Sequence, residues 1–244
     1  MAKTLTIDRG NTTTKVAIWA SEKSTMPLIS WTISDATTAD IVEAADGHQV
    51  EKAILCSVAG PFDGLHENLE ERGISLMTLT GDTRLPITLG YATPASLGVD
   101  RIAAVAGARA AYPDREVLIV DIGTAVTYDL LTREGHFVGG NIAPGIGMRL
   151  RALHKFTSAL PQVSSNGDYT LWGDTTETAM RSGAINGVIA EICYYRSQLS
   201  DDTVTMLTGG WAADIAKALP FEAKVNPLLV LRGLNSIINY NEDI

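Results

Sequence analysis

Two stretches of this chain follow one plan, and any fold has to accommodate both. Thr4 to Lys15 reads Thr-Leu-Thr-Ile-Asp-Arg-Gly-Asn-Thr-Thr-Thr-Lys. Leu5 and Ile7 alternate with Thr4 and Thr6, the period of a strand with two different faces. An apolar run resumes at Val16 to Trp19, so the stretch predicts a hairpin whose turn carries Asp8. Gly10-Asn11 is its natural place for positive φ. Val117 to Leu131 repeats the plan as a strand, an Asp121-Ile122-Gly123-Thr124 turn and a second strand. Asp121 follows Asp8 by 113 residues, close to half of the 244-residue chain. A supersecondary unit repeated at that spacing predicts two duplicated halves whose carboxylate hairpins face each other.

The first turn suits phosphate chemistry. Successive backbone N–H groups in such a turn form a small concavity for a phosphate oxygen. Asp8 can hold Mg²⁺ directly or through water, because hard cations take oxygen ligands. Thr12 and Thr13 add hydroxyls, and Lys15 adds positive charge. Taken alone, the same residues also fit an ordinary N-terminal hairpin; the recurrence favours the ligand site.

Along the chain, the pattern predicts a third strand over 27–33, a helix over 37–45 capped by Thr38, and a buried parallel strand over 52–57. A helix over 62–72 stopped by Gly73 and a strand over 74–79 follow. Residues 81–95 read as loop and 102–111 as an Ala-rich helix. Pro113-Asp114 breaks that helix, which sets the domain boundary: residues 1–113 and 114–244. In the second half, 135–142 is the third strand, 175–199 a long helix, 204–208 a strand ending in Gly209-Gly210, 212–219 a helix, and 227–240 a closing helix. The glycine-rich turn Gly139 to Gly147 has Leu150 where a dinucleotide fingerprint needs its third glycine. It also lacks the Lys-Ser/Thr of a P-loop. A nicotinamide dehydrogenase and a P-loop ATPase are both disfavoured.

Net charge is −9 with no basic stripe, which argues against nucleic acid as a partner. No basic amphipathic helix or apolar run of spanning length points to a membrane. Asp8 and Arg9 stand where an export signal would have its apolar core, so the expected location is cytoplasmic. Cys56 and Cys193 lie in apolar runs and read as buried free thiols. His48, His66, His136 and His154 fit no metal spacing.

The paired Asp hairpins resemble those of the superfamily of actin, sugar kinases, acetate kinase and the heat-shock ATPases. Five motifs narrow this. Asp8-x-Gly10-Asn11-Thr12-x-x-Lys15, Tyr91-x-x-Pro94-x-x-Leu97-Gly98-x-Asp100-Arg101, Asp121-x-Gly123-Thr124-Ala125, Gly139-Gly140-x-Ile142-x-Pro144-Gly145, and Gly173-x-x-Thr176 with Ser182-Gly183 resemble type III pantothenate kinase. The resemblance runs from residue 4 to 210. It implies an α/β fold of two similar ribonuclease H-like (actin-like ATPase) domains, each a mixed five-stranded sheet with flanking helices, with a cleft between them. It implies ATP-dependent phosphorylation of pantothenate to 4′-phosphopantothenate, the first step of coenzyme A biosynthesis. A homodimer, Mg²⁺ and a monovalent cation (K⁺ or NH₄⁺) go with it.

By motif match, Asp100 is the proton acceptor and Asp121 the monovalent-cation ligand. Asp8, Arg9, Gly10, Asn11, Thr12, Thr13, Thr14, Lys15 and Thr124 match the ATP site. Tyr91, Gly98, Val99, Asp100, Arg101 and Thr176 match the pantothenate site, Thr176 across the dimer interface and with Thr175 and Thr178 as close alternatives. The chemistry agrees: an alkyl hydroxyl is a poor nucleophile, and a carboxylate in reach takes its proton. The planar fork of Arg101 fits the carboxylate of pantothenate. By position alone, Asp100 also reads as a favourable first-turn acid of its helix and Arg101 as half of a salt bridge. Other readings are a kinase of another small hydroxyl substrate, and a non-catalytic transcription accessory factor on the same scaffold.

Overall fold

A computed structural model describes residues 3–21 and 24–242. The first half runs β1 (Lys3–Arg9), β2 (Thr13–Trp19), β3 (Ile29–Ser34), α1 (Thr38–Asp46), β4 (Val50–Ser57), α2 (Leu65–Glu70), β5 (Ser75–Thr78), β6 (Thr88–Leu89) and α3 (Val99–Ala111). The second runs β7 (Val117–Ile122), β8 (Ala125–Leu131), β9 (His136–Pro144), α4 (Ile146–Phe156), α5 (Thr176–Ser197), β10 (Val204–Thr208), α6 (Ala212–Ala218), β11 (Lys224–Val225) and α7 (Leu229–Tyr240).

One sheet has the order β3-β2-β1-β4-β5. Its β3-β2-β1 portion is antiparallel and its β1-β4-β5 portion parallel. The sheet is therefore mixed, as expected. The other has the order β11-β10-β7-β8-β9-β6, six strands where five were expected. The extra edge strand, β6, lies in a segment read as loop. It is two residues long and takes its place by pairing with β9, Leu89 opposite Phe137.

The chain divides into two compact units, Met1–Arg115 with Leu131–Gly139 and Leu228–Ile244, and Glu116–Leu130 with Gly140–Pro227. Each has its own core. Leu5, Ile7, Val16, Ile18, Ile41 and Leu55 are among the buried side chains of the first, and Val120, Ile122, Val126, Ile185, Val188 and Leu207 of the second. The units are not the contiguous halves 1–113 and 114–244, because α7 returns to α3. A Cβ at Gly107 would lie 2.2 Å from the Leu229 carbonyl oxygen, and one at Gly233 only 1.7 Å from that of Ala103. Two helix backbones approach this closely only where side chains are missing. Arg101 to Ala108 are buried without interruption, as the small-residue composition of that helix requires.

Two helix starts differ from expectation. Thr37, not Thr38, caps α1, because Asp40 at the third position completes a reciprocal capping box with it. Helix α3 begins at Val99, three residues early, with Gly98 at its cap. Cys56 and Cys193 are both free thiols, Cys56 buried and Cys193 only half-buried. Among the described residues, no helix is long and apolar enough to cross a membrane.

Candidate active site

In the first unit, β1 delivers Asp8 to the end of the sheet. Asp8 stands opposite Lys15 on antiparallel β2 and beside Cys56 on parallel β4. The last ladder pair is Arg9 with Thr14, which leaves a four-residue loop, Gly10 to Thr13. A loop of that length needs no left-handed residue, and neither Gly10 nor Asn11 has positive φ, contrary to expectation. Gly10 favours a close approach instead. Its N–H donates to the Thr13 carbonyl at 3.0 Å, and a Cβ on it would lie 3.1 Å from the same oxygen. A cavity of about 110 Å³ is lined by Arg9, Gly10, Asn11, Thr12, Thr13 and Thr14, together with Asp35, Ala36 and Ala59. Asp35 adopts φ +50°, a strained position that Asp tolerates better than most residues. Sequence reasoning missed Asp35, although Ser34-Asp35 directly precedes a capped helix. Arg9 lies 4.0 Å from the Phe62 ring centroid and donates to the carbonyls of Gly60 and Pro61, so it also clamps the loop that ends β4.

The same unit holds Asp100 in the first turn of α3, half-buried. The Arg101 N–H donates to its Oδ1 at 2.9 Å. A Cβ at Gly98 would lie 2.5 Å from that oxygen, so the carboxylate occupies space that only glycine leaves open. Arg101 is 5% exposed. Its guanidinium carbon is 5.6 Å from the Tyr91 ring centroid and 5.7 Å from that of Phe137, the two rings being 6.5 Å apart. Phe137 was not singled out from sequence. It lies in the strand expected over 135–142 and pairs with Leu89 of β6. Burial pushes the Cys56 thiol well above its ordinary range, and the negative charges of Asp8 and Asp100 push it further. Both acids are thus within electrostatic reach of one buried sulfur.

In the second unit, Asp121 closes β7. A Cβ at Gly209 (φ +88°) would meet Asp121 Oδ1 at 2.5 Å and the Ile122 carbonyl oxygen at 2.6 Å. Gly145 donates its N–H to the Thr124 carbonyl at 3.1 Å, and a Cβ there would meet the Gly123 and Thr124 carbonyl oxygens at 2.3 and 2.4 Å. Asp121 Oδ1 and the Ile122 carbonyl oxygen thus crowd Gly209, and the Gly123 and Thr124 carbonyl oxygens crowd Gly145; oxygens are the donors a hard cation takes. A Cβ at Gly210 would meet nothing within 4 Å. A cavity of about 380 Å³, lined by Asn166, Gly167, Tyr169, Trp211, Asp214, Lys217 and Ala218, lies just beyond it in the chain. Thr176 opens α5 and is exposed. Thr175 and Thr178 direct their hydroxyls to each other at 2.8 Å in the helix cap, so of the three threonines Thr176 is the one outside it. Among the described residues no group of three or more His, Cys, Asp or Glu converges as a metal cluster.

The expected residues divide between the units: Asp8 to Lys15, Tyr91 and Gly98 to Arg101 belong to the first, Asp121, Thr124 and Thr176 to the second. The sequence model of type III pantothenate kinase matches residues 4–198. The chain belongs to the type III pantothenate kinase family. A type III pantothenate kinase from Phocaeicola vulgatus is 35% identical over 243 residues, covering 98% of this chain and 99% of its own. The type III pantothenate kinase from Christiangramia forsetii is 37% identical over 247 residues, 98% of each. Among solved structures, a Campylobacter jejuni protein described as a Baf family transcriptional activator superimposes with TM-score 0.61 at 22% identity, over 98% of this chain and all of its own. The activator of 2-hydroxyisocaproyl-CoA dehydratase from Clostridium difficile, solved with ADPNP, gives 0.56 at 12% identity, over 99% and 94%. These likenesses establish the actin-like fold for this type III pantothenate kinase.

Proposed function

We propose that Asp100 is the general base of this type III pantothenate kinase, which phosphorylates pantothenate at the expense of ATP at the entry to coenzyme A biosynthesis. The primary hydroxyl of pantothenate attacks the γ-phosphorus of ATP, the bond to the β-bridging oxygen breaks, and ADP leaves. The hydroxyl proton passes to the Asp100 carboxylate, giving 4′-phosphopantothenate. Such a transfer depends on positioning and charge neutralisation more than on covalent chemistry. Arg101 pairs with the pantothenate carboxylate, and Tyr91 and Phe137 hold its guanidinium plane. Gly98 and Val99 complete that site, with Thr176 contributed across the dimer interface.

The loop from Asp8 to Lys15 and Thr124 take the nucleotide phosphates, and the cavity beside Trp211 takes the adenosine. Asp8 would hold Mg²⁺ and Asp121 the K⁺ or NH₄⁺; these ions neutralise phosphate charge when bound. The same reading makes the protein a cytoplasmic homodimer, which sedimentation equilibrium tests.

One observation carries the assignment of the base: the Asp100 carboxylate fills the gap that Gly98 leaves, next to the buried fork of Arg101. Asp100→Asn should lower kcat by about 10²–10⁴-fold, the usual worth of a positioned base, in an assay of ADP release with ATP, Mg²⁺, K⁺ and pantothenate. Undiminished turnover would remove Asp100 from this role.

A further inference from the structure

Arg149, on α4, belongs to none of the five motifs, yet three elements of the second unit converge on it. Its Nη2 donates to Glu191 Oε1 and Oε2 at 2.7 and 2.6 Å, and its Nε donates to the Pro144 carbonyl at 2.7 Å. Glu191, on α5, also accepts the Tyr128 hydroxyl at 2.6 Å. Tyr128 is buried on β8, and burial and Glu191 together hold its proton far above the ordinary phenol range. One helical turn before Glu191, Gly187 leaves room for the arginine: a Cβ there would lie 2.8 Å from Arg149 Nη1. A surface ion pair needs no such clearance and contributes little. This one is half-buried, forked and aimed at a backbone carbonyl.

What Arg149 grips is the turn that supports the second Asp hairpin. Pro144 precedes Gly145, whose N–H donates to the Thr124 carbonyl and whose missing side chain lets the Gly123 and Thr124 carbonyls approach. We propose that Arg149, held by Glu191, is a positioning residue that fixes the Pro144-Gly145 turn and through it the Gly123-Thr124 carbonyls at the nucleotide and cation site. The inference rests on reading the Asp121 hairpin as that site. It predicts a directional effect: losing Arg149 weakens ATP and the monovalent cation and leaves pantothenate, whose main contacts belong to the first unit, unchanged.

The test compares wild type, Arg149→Ala, Arg149→Lys and Glu191→Gln in two measurements. Steady-state kinetics give the half-saturating concentrations of ATP, potassium and pantothenate. Thermal-shift titrations with ATP in potassium buffer, without pantothenate, give nucleotide binding without turnover. Outer-shell partners of ion sites are typically worth 10–100-fold, so Arg149→Ala should raise the ATP and potassium constants about tenfold and change the pantothenate constant less than about twofold. Lysine cannot hold Glu191 and the Pro144 carbonyl together and should fall between; Glu191→Gln should shift the constants in the same direction. Unchanged ATP and potassium constants, or all three constants rising together, would overturn the proposal. Should Arg149→Ala fail to fold, Arg149→Lys decides by the same criteria. A wild type that binds ATP but does not phosphorylate pantothenate would refute the functional reading alone, and the thermal-shift titrations would still decide the role of Arg149.

Discussion

Gly98 and Asp100 compete for one volume: a methyl group on Gly98 would lie 2.5 Å from Asp100 Oδ1. Gly98 has φ −57°, which alanine adopts freely. Gly98→Ala therefore displaces the carboxylate without straining the backbone. A displacement of this size is expected to cost about 10²-fold in kcat, while stability to urea falls by no more than about 1 kcal/mol, the difference between glycine and alanine at a cap. Kinetics and urea denaturation on the same preparation check both halves of this expectation.

Arg101→Lys keeps the charge and discards the fork. With the guanidinium lying by Tyr91 and Phe137, an ammonium reproduces neither the stacking nor a bidentate grip on a carboxylate. KM for pantothenate should rise roughly tenfold or more, the worth of one charge-assisted hydrogen bond, with kcat and the KM for ATP little changed. A fall in kcat at constant KM would mean that Arg101 acts in the transition state instead.

Gly233→Ala sets two effects against each other. Alanine is the better helix former by about 1 kcal/mol. Here its Cβ would fall 1.7 Å from the Ala103 carbonyl oxygen, so α7 must move away from α3, and overpacking of this kind costs about 1–3 kcal/mol or more. The clash should win. We expect a net loss of about 2 kcal/mol, or roughly 4–8 °C in Tm for a chain of this size, read by calorimetry. A stabilised variant would contradict the helix contact.

Stability should fall in alkali. The Cys56 thiol is raised well above its ordinary 9.0, and Tyr128 is raised from 10.0. The folded chain keeps both protons where the unfolded chain releases them. The stabilisation is complete below pH 9 and is lost as pH rises above it, with a limiting slope of about 1.4 kcal/mol per pH unit for each group. Urea midpoints at pH 7, 9 and 10 should be level between the first two and lower at the third.

What could be read in advance was whatever a short stretch decides for itself. The Asp8 and Asp121 hairpins announce themselves by alternation and turn residues. Val204 to Thr208, followed by a glycine with φ +88°, is as local a signal as a chain offers. The larger misses come from residues far apart in sequence. Phe137, whose ring lies 5.7 Å from the Arg101 guanidinium carbon, is flanked by a two-residue strand that no propensity would reveal. The return of α7 depends on Gly107 and Gly233 matching across more than a hundred residues, and the chain first leaves one unit at Arg115, next to Pro113-Asp114, but comes back to it at 131–139 and 228–244. Gly10 does lie in the turn, but it eases the close contact with the Thr13 carbonyl and does not use its left-handed freedom.

The α3–α7 contact also has a consequence for biosynthesis. Residues 229–240 are synthesised more than a hundred residues after α3, so for most of translation the helix bearing Asp100 presents a bare stripe of alanines. A nascent chain halted before residue 229 would have α3 already synthesised and its Ala103–Gly107 face without the helix that covers it.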